Sequence, residues 1–437
     1  MKKVFIGILI LLLVGLVVPK IIGNTAYDVY KQSIDNSLMD KGLASIEHRE
    51  YSSSWFSSDV VTVIKFESID PKVDTMEWVL ASHIQHGPVM FTNDGIKFGL
   101  AYVDMENSLK GLPKETQDVV DNIFNKMTIK MTSLIGFDKT VSDEINVGSY
   151  TYDKDGVTAT FGGFDVVGTA LLDYSKMDGE ITLHESDVES PEFTFKIAAS
   201  SGSYDLRKYF DLMMLGNAKG NIPSLEIVAK RVPVSLENIT FSTDETEENK
   251  NLYFKQKFAI EKIKAPVPVD ALQYDFELNQ ISLQAIESWV DFSQSFQLNV
   301  DGGVSTEDEK KLRELASLVL QEGLEVNQYF KLDGMGGALI IDWKTRYVGL
   351  PNGEKLWDIK PEDKKKMLQA VDMHILVTID KSIIDASPFR AVVGPYMKQG
   401  FVVEQAGKLK ADIKLLRGVL TVNGQPLPIE SLFPLLG

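Results

Sequence analysis

Two of the five histidines, His83 and His86, stand three residues apart in the string "WVLASHIQHGPV". On a helix that spacing would put both imidazoles on one face, where they could share a zinc ion. Trp78, Leu80, Ile84 and the following Gly87-Pro88 instead predict a strand running into a turn, where positions three apart point to opposite faces. No H-E-x-x-H motif or third ligand is nearby, so the pair reads as structural. The stretch "YSSSWFSSDVVTVIKF", residues 51–66, offers Ser52, Ser53, Ser54, Ser57 and Ser58 as nucleophiles. A serine needs a base to be reactive, and no histidine stands beside these in sequence. His184-Glu185-Ser186-Asp187 holds the residue types of a hydrolytic triad, but triads are assembled by tertiary geometry, so this reads as a polar turn. Gly334-Met335-Gly336-Gly337 is followed by the strand-like "ALIIDW" rather than by a helix, which marks a bend and not a phosphate loop. The acids Asp244, Glu245, Glu247 and Glu248 lack the central glycine and distal glutamate of a calcium loop and read as a solvated loop. Lys364-Lys365-Lys366, flanked by Glu362 and Asp363, reads as an exposed helical turn. No catalytic, cofactor-binding or metal-ligating residue is assigned.

The elements that carry these groups are mostly strands. Alternation is strict at Phe193, Phe195 and Ile197, at Leu272, Tyr274, Phe276 and Leu278, and at Leu409, Ala411, Ile413 and Leu415. It predicts antiparallel sheet with one wet face. Asp155-Gly156 and Asn423-Gly424 supply the positive φ that tight hairpins need. Helices are few. One is predicted from Pro113 through Met127, one from Ser282 with Leu283, Ile286 and Val290 inward, and one from Thr306 with Leu312, Leu315 and Val319 inward, stopping at Gly323. The predicted fold is mainly antiparallel β with a minority of helices (α+β), its long twisted or curved sheets forming a groove, half-barrel or sandwich.

Ahead of this body, Lys2 and Lys3 precede an unbroken apolar run from Val4 to Val18. Fifteen residues rise only ~22 Å as a helix, and Pro19 to Ile22, with Lys20 snorkelling, would extend the span. "GNTA" at 23–26 is a poor cleavage site, so the run reads as one N-terminal transmembrane helix retained as a signal anchor, the lysines holding its start in the cytoplasm. Tyr27, Tyr30, Ile34 and Leu38 recur at helical spacing as a stem. The expected divisions are an anchor at 1–22, a stem helix and entry segment at 23–50, and β-rich regions at 51–242 and 243–437, with the polar stretch "STDETEENKN" at the last seam. A net charge of −17 argues against a nucleic-acid partner. The absence of cysteine rules out disulfides and thiol chemistry.

The anchor, "WFSSDVV" at 55–61, "QHGPV" at 85–89 and "GVLTVNGQPLPIESLF" at 418–433 together resemble the YdgA-like family of bacterial envelope proteins, which is of unknown function. The resemblance picks out Trp55, Phe56, Ser57, Ser58, His86, Gly87, Pro88, Asn423 and Gly424 as motif residues with structural roles. Trp55-Phe56 is expected to plug the joint between stem and sheet. The resemblance implies an inner-membrane, single-pass protein with a periplasmic body and no catalytic residues to transfer. The expected function is non-enzymatic: an envelope protein binding a lipid or other apolar ligand, or supporting envelope assembly. A metal- or serine-based envelope hydrolase and a protein-interaction scaffold are the alternatives.

Overall fold

The computed structural model describes residues 19–20, 22–23, 25, 27–28, 30–31, 44–66, 76–112, 117, 126–154, 156–210, 213–266, 268–295, 306–359, 363–385 and 390–428. The apolar run 4–18, Ile34 and Leu38 of the stem, nearly all of the helix expected from Pro113, Asp155 and the last nine residues lie outside them. Among the described residues no helix is long and apolar enough to cross a membrane. Mainly antiparallel β-structure with few helices is what the alternation predicts, and every described strand pairing is antiparallel. The chain divides into two compact units, Met1–Met214 and Leu215–Gly437.

The first unit holds β1 (Ala44–Ser53), β2 (Ser57–Phe66), β3 (Met76–His86), β4 (Val89–Thr92), β5 (Gly95–Phe98), β6 (Ala101–Lys110), β7 (Ile129–Ile135) and β8 (Thr140–Val147). After these come β9 (Tyr150–Lys154), β10 (Val157–Phe161), β11 (Phe164–Leu171), β12 (Lys176–Leu183), β13 (Ser186–Glu189), β14 (Phe193–Ile197) and β15 (Ser200–Phe210). Pairing runs β1–β2–β3–β6–β7–β8–β11–β12–β15. A second strip pairs β9–β10–β13–β14, and β4–β5 is a separate hairpin.

Because side chains alternate across a strand, these registers decide which residues share a face. Val60, Thr62 and Ile64 of β2 share one with Leu80, Ser82 and Ile84 of β3 and with Ala101, Val103 and Met105 of β6. Most of these are almost fully buried. Tyr30, in a helical stretch of the N-terminal residues, packs on this face with Val60, Ile84, Ala101, Val103 and Ile135, and Ile22 and Tyr27 lie against the same cluster. Tyr30 is only 2% exposed, and its hydroxyl is 3.1 Å from Thr62 Oγ1 and 2.9 Å from Ser82 Oγ. The stem stripe is thus seated on the sheet through Tyr27 and Tyr30.

The second unit is a meander whose long strands pair with their sequence neighbours: Val232–Glu248 with Asn251–Lys264, that with Val269–Ser282, then Glu325–Gly334, Gly337–Tyr347, Val371–Asp380 and Lys408–Leu416. The helix Leu283–Ser295 buries Leu283, Ala285 and Phe292, and the helix Thr306–Val319 buries Leu315. Residues 242 and 243, where the seam was expected, are neighbours inside the strand Val232–Glu248, and the acidic run belongs to that strand rather than to a loop. In the register of this ladder Asp244 stands opposite Lys255, which also pairs with Glu277 at 2.5 Å on the next strand, so opposite charges face each other across the sheet. Gly334-Met335-Gly336-Gly337 is a hairpin tip, with Met335 and Gly336 at positive φ.

Candidate functional site

The face that seats Tyr30 continues past the stem into an apolar pocket of about 590 Å3. Its lining follows from the registers. Phe66 of β2 pairs with Met76 of β3, Trp78 with Leu109 of β6, Met131 of β7 with Ile145 of β8, and Ile129 with Val147, which pairs in turn with Phe164 of β11. β3, β6, β7 and β8 each contribute residues two apart, which point to one side of the sheet. Among the twelve lining residues Asn107 alone has a polar side chain, and its Nδ2 lies 3.6 Å from Met131 Sδ.

One step along the same strands the face turns polar. Ser133, Asp143, Gly168, Gly179 and Tyr204 form a row across β7, β8, β11, β12 and β15. A Cβ on Gly168 or Gly179 would meet the Tyr204 hydroxyl at 2.9 or 2.6 Å, so the two glycines make room for that side chain. The Ser133 hydroxyl donates to the Asp143 carboxylate, while burial pushes the Asp143 carboxyl above the ordinary carboxylate range. A carbon-lined cavity suits an apolar molecule, and its volume lies within the ~300–1,000 Å3 usual for ligand sites.

The motif residues of the first unit meet beside the stem. The turn between β1 and β2 carries Trp55 and Phe56, and the Phe56 carbonyl accepts the His86 backbone N–H at 2.8 Å. His86 Nε2 is 2.8 Å from Ser58 Oγ, so the serine stretch does acquire a base, one that pairing of β2 with β3 brings from 28 residues away. Both are buried, Ser58 at 1% and His86 at 2% exposure. His86 Nδ1 has no partner among the described residues, and therefore no carboxylate to orient the ring. Burial lowers the His86 pKa, and nearby Lys20 adds to the effect. This pair is a buried joint, and among the described residues no acid orients the ring as in a hydrolytic triad. Ser57 and Ser54 serve their own turn, Ser54 Oγ reaching the Ser57 carbonyl at 2.9 Å. Gly87-Pro88 is a cis peptide, and a Cβ on Gly87 would fall 1.8 Å from the Gly99 carbonyl oxygen. Trp55 and Phe56 are 49% and 50% exposed, which corrects the expectation that they plug the joint. What fills it is the Gly23 backbone, laid against the His86 ring, and Lys20, whose Nζ donates to the Ser54 carbonyl at 3.4 Å.

His83 lies on the other face, exposed, with Nδ1 2.6 Å from Asp59 Oδ1. It and His86 therefore cannot ligate one ion. A wide cavity of about 560 Å3 there is bordered by Glu50, Asp59, Asp104 and Glu106, but among the described residues no three histidine or acidic groups converge on a metal position. His184 bonds Asp165 at 2.8 Å across strands and does not meet Ser186 as a triad would. In the second unit Asn423 and Gly424, both at positive φ, turn the last described hairpin. The Asn423 Oδ1 accepts the Asp412 N–H at 2.9 Å, and its Nδ2 donates to the Gly400 carbonyl at 2.9 Å. Sequence reasoning missed the pocket, although apolar residues two apart at 76/78, 129/131 and 145/147 carried its signal.

A family model described as "Bacterial protein of unknown function (DUF945)" matches residues 1–327, and the chain belongs to that family. No curated protein and no solved structure matches the chain.

Proposed function

We propose that this DUF945 protein is a non-enzymatic envelope protein that holds an apolar ligand, of the class of a lipid acyl chain, in the pocket of its first unit. The observation that carries the reading is the pocket itself: about 590 Å3, lined by carbon from seven strands, with a single polar lining side chain. Unfilled, such a surface would be in contact with water at a cost of roughly 25 cal/mol per Å2. The Lys2-Lys3 and Val4–Val18 pattern supports a body held at the inner membrane on its periplasmic side, and the YdgA-like motifs agree with that placement. No nucleic-acid partner and no cofactor are part of the proposal.

The test is native mass spectrometry of the detergent-extracted chain, joined to uptake of a fluorescent fatty-acid analogue. Wild type should carry lipid and take up the probe. Leu109→Trp, which puts an indole into the cavity beside Trp78, should lower probe affinity at least tenfold while the protein stays folded. Wild type without bound lipid or probe uptake would defeat the ligand reading and leave a scaffold.

A further inference from the structure

The β4–β5 hairpin wears its apolar face outward. Val89 pairs with Phe98 and Phe91 with Ile96, so these four side chains share a face. They are 42%, 65%, 75% and 58% exposed respectively, whereas Met90 on the opposite face is 2% exposed. A surface ribbon ordinarily buries its larger apolar side chains and shows polar ones. Trp55 and Phe56 add two half-exposed rings nearby, since the Phe56 carbonyl holds the amide of His86, three residues before Val89. The one acid at the hairpin tip, Asp94, has its charge paired: Lys130 Nζ lies 2.5 Å from its carboxylate, and the Tyr102 hydroxyl donates to it at 2.6 Å.

The incoming chain is tied to this same end of the unit. Lys20 reaches the Ser54 carbonyl, Gly23 lies on His86, and Pro19 directly follows the apolar run 4–18. Pro19 and Lys20, the residues that follow the run, are thus the described start of the chain at this end of the unit. Trp favours the boundary between headgroups and acyl chains, where its ring is buried and its N–H stays wet, and Phe, Ile and Val beside it can bury their apolar surface just below the headgroups.

We propose that the β4–β5 hairpin and the Trp55-Phe56 turn form a membrane-docking surface that seats in the bilayer entered by residues 4–18. The proposal rests on reading that run as an anchor. It gives the first unit a fixed orientation on the lipid instead of a free tether.

The chain has no cysteine, so single-cysteine labelling is clean. The full chain is reconstituted into phosphatidylcholine vesicles with an environment-sensitive fluorophore at Phe91→Cys, at Ile96→Cys, or at Glu314→Cys on an exposed helix of the second unit. Labels at 91 and 96 should emit at shorter wavelength than the label at 314 and be quenched by acyl-brominated lipid, while the label at 314 behaves as in water. If the chain floats with the vesicles but all three labels are water-like, the docking surface is overturned and the anchor stands. A blue shift without bromolipid quenching means that protein covers the hairpin, which overturns the lipid assignment. Failure to float overturns the anchor reading and the docking surface with it.

Discussion

Tyr30→Phe deletes one oxygen atom and should weaken the seat of the stem on the sheet. The ring stays, so no cavity forms; what is lost is a hydroxyl at 3.1 Å from Thr62 and 2.9 Å from Ser82, with Tyr30, Thr62 and Ser82 exposed by 2%, 0% and 3%. Thr62 Oγ1 keeps His48 Nδ1 at 2.9 Å, so its share of the loss is small. Ser82 is left with a buried hydroxyl to satisfy, which costs ~1–3 kcal/mol, and a total of about 2 kcal/mol follows. That corresponds to roughly a thirtyfold rise in the local opening constant. Two compact units need not unfold together, so a single denaturation midpoint is a poor reporter. Hydrogen exchange of the β2 and β3 amides measures the opening directly. Tyr27→Phe is the control, because that ring stacks on Tyr51 with centroids 4.0 Å apart and keeps its contact without the hydroxyl. Exchange in Tyr30→Phe within twofold of wild type would refute the idea that these bonds seat the stem.

The remaining predictions concern the joint and the polar row. His86 is held below its ordinary pKa of 6.5, so the unfolded chain takes up its proton first, and the first unit should lose stability as pH falls below 6.5; His86→Gln should flatten that part of a stability–pH curve measured by urea titration. Asp143 is held above its ordinary 3.8, so its neutral form suits the fold and the stability it adds below pH 3.8 is lost as pH rises through the folded value. Asp143→Asn should therefore match or exceed wild type at pH 7 and lose any advantage by pH 3.8, read from thermal midpoints. Gly87→Ala would place a Cβ 1.8 Å from a backbone oxygen and should cost on the order of 4 kcal/mol, seen as loss of soluble folded protein; near-wild-type yield would show that the turn can relax. Trp55→Ala removes a half-exposed ring and should change stability by no more than about 0.5 kcal/mol in the same titration, with its effect appearing in membrane seating.

The sheet-forming character was legible because period-2 alternation and turn chemistry are local: Leu409 to Leu415 alternates, and Asn423-Gly424 turns its hairpin, whatever the rest of the chain does. The opposed faces of His83 and His86 were legible for the same reason. Three features were decided by long-range register alone. The pairing of β2 with β3 brings His86 to Ser58, the order β6–β7–β8–β11 lines up the apolar residues of the pocket, and the packing of Tyr30 onto Thr62 and Ser82 leaves Trp55 outside. Alternation says that a residue has a face but not what lies across from it, since sliding a strand by two residues keeps every face and changes every neighbour. The sequence by itself determined the secondary-structure class and its turns; the tertiary registers decided which serine met a base, which apolar side chains became a pocket, and which aromatics stayed exposed.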